Sequence, residues 1–168
     1  RVSVGERGLS TTDLNTGSIY LAAKERDLGI GSIISDSVVE ISADHAVKAV
    51  TSETNIKAAA LRILKSSAIG TKEQNLRTEI SGNMEMISAG DIYATELGTA
   101  NVKNIRSTKN EGKVSLTAAG MVNCAEDGSA AITADNITLQ ATAGSIGSSA
   151  KAMDVEVGSG TLNAVADR

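Results

Sequence analysis

The chain has 168 residues, enough for one domain with a real core, yet it holds no Phe, Trp or Pro and only two Tyr, Tyr20 and Tyr93. Ile, Val, Leu and Ala carry most of its 41% apolar content, which predicts a narrow core of small aliphatic side chains and an elongated shape. A net charge of −4 with sixteen dispersed Lys and Arg offers no basic stripe for a phosphate backbone and argues against nucleic acid as a partner, and no apolar run approaches the roughly 18 residues of a membrane span.

Residues 1–10 contain no apolar segment of the signal-peptide kind, and the chain starts at Arg1 without Met. The expectation is an excised or processed piece of a longer protein. The single cysteine, Cys124, excludes an intramolecular disulfide and leaves the compartment open.

In chain order, an apolar-x-apolar pair recurs at Ile19/Leu21, Val39/Ile41, Leu61/Ile63, Met84/Met86, Val114/Leu116, Ile137/Leu139 and Val155/Val157. The gaps between first members are 20, 22, 23, 30, 23 and 18 residues, a period near 22 with one longer interval. A second apolar position trails each pair, at Ile30, Val47, Ile69, Ile92, Val122, Ile146 and Leu162. A third precedes several of them, at Ile34, Ile56 and Ile132. Alternation at period two places the paired residues on one face of a strand, and Gly, Ser and Ala-Gly-Asp clusters fall where such strands would end.

Strands this short cannot form an independent sheet, but they become stable when each turn stacks on the next at about 4.8 Å and pairs its backbone groups with the coils above and below. The predicted fold is therefore all-β: a parallel β-helix (solenoid) of about 8 coils of roughly 20–23 residues, a rod about 40 Å long, with residues 1–168 as a single segment. Inward slots form ladders of Ile, Val, Leu and Met, with Ala43, Ala89, Ala118 and Ala141 where the tube narrows. Aromatic rings fit poorly between layers less than about 5 Å apart, and a proline would leave a carbonyl of the next coil unpaired. In the stretch GKVSLTAAGMVNCA, from Gly112 to Ala125, this reading puts Val114, Leu116, Val122 and Cys124 inward with Gly120 at the corner.

Two segments fit the pattern less well. Thr54–Ser66 also suits an amphipathic helix, with Ile56, Ala59, Ala60, Ile63 and Leu64 on one face, although Leu61, Ile63 and Ile69 stay in register with the coils. The polar residues 95–110 fill the 30-residue interval as either an extra short coil, through Val102 and Ile105, or a loop excursion from the rod.

No constellation of catalytic residues stands out, and no catalytic, cofactor-binding or metal site is assigned. Ser42, Asp44 and His45 are near neighbours between two strands, with nothing to supply an oxyanion hole. Glu40, Glu85 and Glu156 occupy the same outward slot of their pairs, but with Tyr20, Arg62, Ser115 and Thr138 in that slot on the other turns they read as an ordinary polar face. Cys124 reads as a buried thiol. No Cys or His cluster suits a metal, no G-G-x-G-x-D repeat suits calcium, and Gly29-Ile30-Gly31 and Gly144-Ser145-Ile146-Gly147 are turn glycines without the lysine of a phosphate loop. Asn136-Ile137-Thr138 matches a glycosylation acceptor, but its centre is a core position.

The stretches GSIYLAA, GKVSLTAAGMV, NITLQATAGSIGSSA and DVEVGSGTLNAVA, and above all Gly144–Ala164 with its GxIG turn, resemble the repeat region of filamentous haemagglutinin-like exoproteins, the large bacterial adhesins exported by two-partner secretion. The likeness covers most of the chain from Thr16 onward. It implies a right-handed parallel β-helix shaft, secreted to the bacterial cell surface by an outer-membrane partner. It also implies a part in adhesion, biofilm formation, contact-dependent inhibition or toxin delivery, through a host-cell or bacterial receptor bound by the parent protein, and it carries no catalytic residues or cofactors. Ser67-Ala68-Ile69-Gly70 looks like one turn of a trimeric autotransporter head, but it occurs once, where that fold needs it about every 14 residues. The expected role is a non-catalytic virulence-associated shaft. A β-helical polysaccharide lyase or hydrolase is the alternative, and end-to-end self-association through open terminal coils is a secondary expectation.

Overall fold

A computed structural model describes residues 2–4 and 17–167; residues 1–10, read above as lacking a signal-type segment, otherwise lie outside the described residues. Every described element is a strand, and every described pairing is parallel. After β1 (Val2–Val4), the first full turn is β2 (Ile19–Ala23), β3 (Leu28–Ile30) and β4 (Ile33–Ile34), and the second is β5 (Val38–Ala43), β6 (Val47–Ala49) and β7 (Ile56–Ala58). The third turn is β8 (Ala60–Lys65), a single bridged residue at Ile69 and β9 (Leu76–Ile80). Then follow β10 (Asn83–Ser88) with β11 (Ile92–Glu96), β12 (Thr99–Ser107) with β13 (Lys113–Ala118), β14 (Gly120–Asn123) with β15 (Ile132–Ala134) and β16 (Asn136–Ala141), and last β17 (Val155–Val157) with β18 (Leu162–Ala166). These strands stack as a parallel β-solenoid of about seven turns.

One long wall runs β1-β2-β5-β8-β10-β12-β15-β17, with β14 also paired to β12, and a second runs β18-β16-β13-β11-β9-β7-β4. Beside them lies the short pair β3-β6. Residues 54–66 form β7 and β8 and no helix, because the alternation of Ile56, Ala58, Leu61 and Ile63 buries one residue in two against adjacent coils.

The core is a set of ladders. On the long wall Leu21, Ile41, Ile63, Met86, Ile105, Ile132 and Val155 follow one another through successive coils. On the other side Val47, Ile69, Ile92, Val114, Ile137 and Leu162 do the same. Most are fully buried, and each such side chain contributes about 1.5–3 kcal/mol of burial free energy. The last strand is covered from one side, so its inward Leu162 is 47% exposed.

The second ladder corrects the assignment of two repeats. Val114/Leu116 and Ile137/Leu139 do not continue Met84/Met86; they stack on Ile92 and Ala94, on the opposite wall. The members that follow Met84 and Met86 are Val102 and Ile105 of β12. They are three residues apart because the pairing shifts register between Met84 and Glu85, a bulge that breaks the apolar-x-apolar spelling. Ile33, not Ile34, is the inward residue of β4 and pairs with Ile56. In β14, Met121 and Asn123 are buried, whereas Val122 is 40% exposed and Cys124 half-buried. The inward reading of Val122 and Cys124 is thus off by one residue, which in a strand reverses every side chain.

The turn glycines of Ser67-Ala68-Ile69-Gly70 and Gly144-Ser145-Ile146-Gly147 have a backbone cause. Gly70 and Gly147 each follow an inward Ile and adopt φ of +61° and +73°. A Cβ on Gly70 would collide with the Tyr93 carbonyl, and one on Gly147 would lie 2.6 Å from Met153 N. Only glycine turns the corner this tightly against the next coil.

Candidate functional site

The outward face of the long wall gathers the largest share of charge. Pairing stacks Tyr20, Glu40, Arg62, Glu85 and Asn104 in one lane, whereas Thr133 and Glu156 stack on Arg106 in the neighbouring lane. Ser115 and Thr138, expected in this lane, lie on the opposite wall. Arg62 Nη1 donates to Glu40 Oε2 at 2.8 Å, Arg62 Nε lies 3.5 Å from Glu85 Oε1, and Lys103 Nζ is 3.4 Å from the same oxygen. Glu40 and Glu85 are therefore bound into an alternating-charge ladder, while Glu156, expected in the same slot, aligns with Arg106 and stands one lane away because Val155 stacks under the Met86 ladder and not under Met84.

At the lower end the wall is interrupted. Between Asn123 and Ile132 eight residues, 124–131, leave the sheet where β12 spends only Lys103 and Asn104. The excursion bulges outward and forms one side of a groove of about 490 Å³. Its lining brings together Glu85, Glu126 and Glu156 with Lys103 and Arg106.

The excursion is anchored from both ends. Ala125 and Ala131 are buried at its feet, and Asn123, pointing inward, accepts from Ala125 N at 2.9 Å through Oδ1. Its Nδ2 donates to Ala152 O at 2.7 Å and Asp154 Oδ2 at 3.0 Å. Lys151 Nζ donates to Ala125 O at 2.7 Å. Residues 95–110, for their part, supply the end of β11 and the nine-residue strand β12.

Chemically the groove offers carboxylates and cations on adjacent coils, an arrangement suited to hydroxyl-rich or mixed-charge chains. No group of three or more potential metal ligands occurs among the described residues. His45 is exposed in the turn after β5, and the Asp44 carboxylate binds Lys65 Nζ at 2.6 Å. That ion pair, the first cause, holds Asp44 below the usual carboxylate range. The sequence trio Ser42, Asp44 and His45 therefore has its carboxylate committed elsewhere.

One buried ionisable group escaped the sequence reading. Glu96, 2% exposed, continues an inward ladder of Ile33, Ile56 and Thr78. Its Oε2 accepts from Thr78 Oγ1 at 2.7 Å, its Oε1 from Gly98 N at 3.0 Å, and both oxygens lie 3.2 Å from Ile80 N. Burial pushes its pKa up, against the pull of these hydrogen bonds. The alternation Ile92-x-Ala94-x-Glu96 carried the signal, and Met121-x-Asn123-x-Ala125 carried it for Asn123.

No protein-family model matches this sequence, and comparison with curated proteins and with solved structures returns no match. The parallel β-solenoid itself is the level at which the chain is identified.

Proposed function

We propose that the chain is a non-catalytic shaft segment of a secreted bacterial surface filament, similar to the filamentous haemagglutinin-like exoproteins, which holds a distal binding or toxic element away from the cell. Its partners in that setting are an outer-membrane secretion partner and, through the parent protein, a host or bacterial surface receptor. The observation that carries the reading is how the surface charge is spent. Eight ion pairs join described side chains, and every one links residues 18 to 24 positions apart, that is, stacked neighbours in adjacent coils. Each exposed pair contributes at most about 1 kcal/mol, but a ladder of them along a continuous aliphatic core favours one register over its slipped alternatives.

A rod needs length, constant cross-section and resistance to slippage more than a reacting centre. The test is location and geometry in the producing bacterium. Antibodies against this segment should label extended material outside intact cells and in the culture fluid. Antigen found only inside the cells would overturn the reading.

A second reading rests on the groove beside the 124–131 excursion. Three carboxylates and two cations on adjacent coils support a polysaccharide-active surface, either a lyase or a hydrolase. The two readings part on turnover, since a shaft releases no product from a polysaccharide.

A further inference from the structure

On the opposite wall the outward Arg77 of β9 occupies a different position from the paired cations of the long wall. Its Nε is buried and has no hydrogen-bond partner among the described residues. Buried donors are almost always satisfied, so an unpartnered guanidinium N–H is an exceptional donor with spare hydrogen-bonding capacity. The backbone of Arg77 is fixed by the coil above it: Arg77 N donates to Asn55 Oδ1 at 2.9 Å, and Asn55 N donates to Arg77 O at 2.8 Å. Asn55 is itself fully buried, so the strand cannot roll to release the Nε.

Arg77 lines a recess of about 250 Å³ at the corner between coils, roofed by the turn that precedes β9. That turn is closed by Thr71 N donating to Gln74 O at 2.9 Å and Gln74 N donating to Thr71 Oγ1 at 3.0 Å. It is tied to the coil below by Asn75 Nδ2 donating to Thr95 Oγ1 at 3.0 Å. The closed turn carries Lys72 and Glu73 to the rim of the recess. Neither Lys72 nor Arg77 forms an ion pair among the described residues, in contrast to the eight pairs formed elsewhere.

We infer that this recess binds a single oxyanion group, a sulfate or a carboxylate, held by the Arg77 guanidinium and the Lys72 ammonium. The planar fork of arginine matches two oxygens of such a group, and lysine adds a second charge without demanding geometry. The volume is below that of pockets enclosing a whole drug-sized ligand; one charged group fits, with the rest of its carrier outside. The same chemistry serves a free inorganic anion and the sulfate or uronate of an acidic saccharide. Glu73 stands at the rim as a competitor for the two cations.

The test follows the Nε–Hε resonance of Arg77 in the full chain labelled with 15N. Sodium sulfate is titrated against sodium chloride at matched ionic strength, then a sulfated and a uronic-acid oligosaccharide. A saturable shift with sulfate and none with chloride is expected, followed by the backbone amides of Gln74 and Thr95. Affinity read from those amides should fall about tenfold in Arg77→Lys and in Lys72→Gln, and rise in Glu73→Gln. Lys72 lies in an exposed turn, so its variant keeps the fold whatever becomes of the arginine variant, and far-ultraviolet circular dichroism verifies both. Saturation by an oligosaccharide at lower concentration than by free sulfate assigns the site to a saccharide; the reverse assigns it to the free ion. Shifts that rise linearly and equally with chloride and sulfate, or an affinity unchanged in both Arg77→Lys and Lys72→Gln, would overturn the inference.

Discussion

Inside the solenoid the Thr78 hydroxyl donates to Glu96 Oε2 at 2.7 Å, one coil stacked on the next. A carboxylate thus continues a ladder begun by Ile33 and Ile56, and it organises the corner by accepting from Ile80 N and Gly98 N as well. Burial raises its pKa above the ordinary glutamate value, so the folded chain holds that proton more tightly than the unfolded one. The associated stabilisation is complete below the unfolded glutamate pKa and is lost as pH rises through the folded value. Glu96→Gln should remove this acid-favoured increment, seen as a flatter dependence of Tm on pH in the mildly acidic range. Asp27 works in the opposite sense. Its hydrogen bond to Lys48, with a smaller one from Ala46 N, lowers its pKa, so its contribution is present above the unfolded aspartate pKa and is lost as pH falls through the folded one. Asp27→Asn should flatten the more acidic limb instead.

The register of β14 is testable at two adjacent residues. Asn123→Ala leaves the Ala125 N–H and two acceptors without their partner, and should destabilise by about 1–3 kcal/mol in denaturant unfolding. Cys124→Ser, at the half-buried outward position, should change stability by about 0.5 kcal/mol or less. The opposite ranking would restore the one-residue-shifted register with Cys124 inside.

Glycines with positive φ separate strain from crowding. Gly17, at φ +83°, has no atom of the described residues within 4 Å of where a Cβ would go, whereas Gly147, at φ +73°, faces Met153 N and the Ala152 backbone. Gly17→Ala should cost about 1 kcal/mol from the backbone alone, and Gly147→Ala about 2–4 kcal/mol once overpacking is added. Thermal unfolding of the two variants side by side checks the difference.

The charge ladder predicts a salt-sensitive, shallow effect. Arg62 is shared by Glu40 and Glu85, and its side chain is 43% exposed. Arg62→Ala should lower stability by about 1 kcal/mol or less at low ionic strength, and the gap from the parent should narrow in about 1 M salt. A penalty that is unaffected by salt would identify lost packing of the arginine stem as the cause.

Much of the fold was legible because a solenoid writes its cross-section repeatedly. Val39/Ile41 and Leu61/Ile63 stack as their spacing implied, and the trailing Val47, Ile69 and Ile92 form one ladder. Legibility failed where the two walls share a spelling. Val114/Leu116 reads like Met84/Met86 yet belongs to the other wall, while the true successors Val102 and Ile105 are disguised by a bulge. The groove was harder to see, since its side wall is an eight-residue excursion, CAEDGSAA, whose sequence has no period. Glu96 and Asn123 were hidden by the rule that inward slots are apolar; both fill inward positions because nearby backbone groups need an acceptor or donor inside the tube. The orphaned Nε of Arg77 depends on how three coils meet at a corner, and a linear sequence does not display that.

The proposed shaft, whose charged outer lanes would weld coils together and do no chemistry, is best tested by turnover. The protein is incubated with a panel of acidic and neutral polysaccharides, with and without added calcium, while unsaturated products and new reducing ends are measured. A shaft should give no release above the protein-free blank. Sustained release that falls in Glu156→Gln or Arg106→Gln, with the fold intact, would contradict it and turn the groove beside residues 124–131 into an active site.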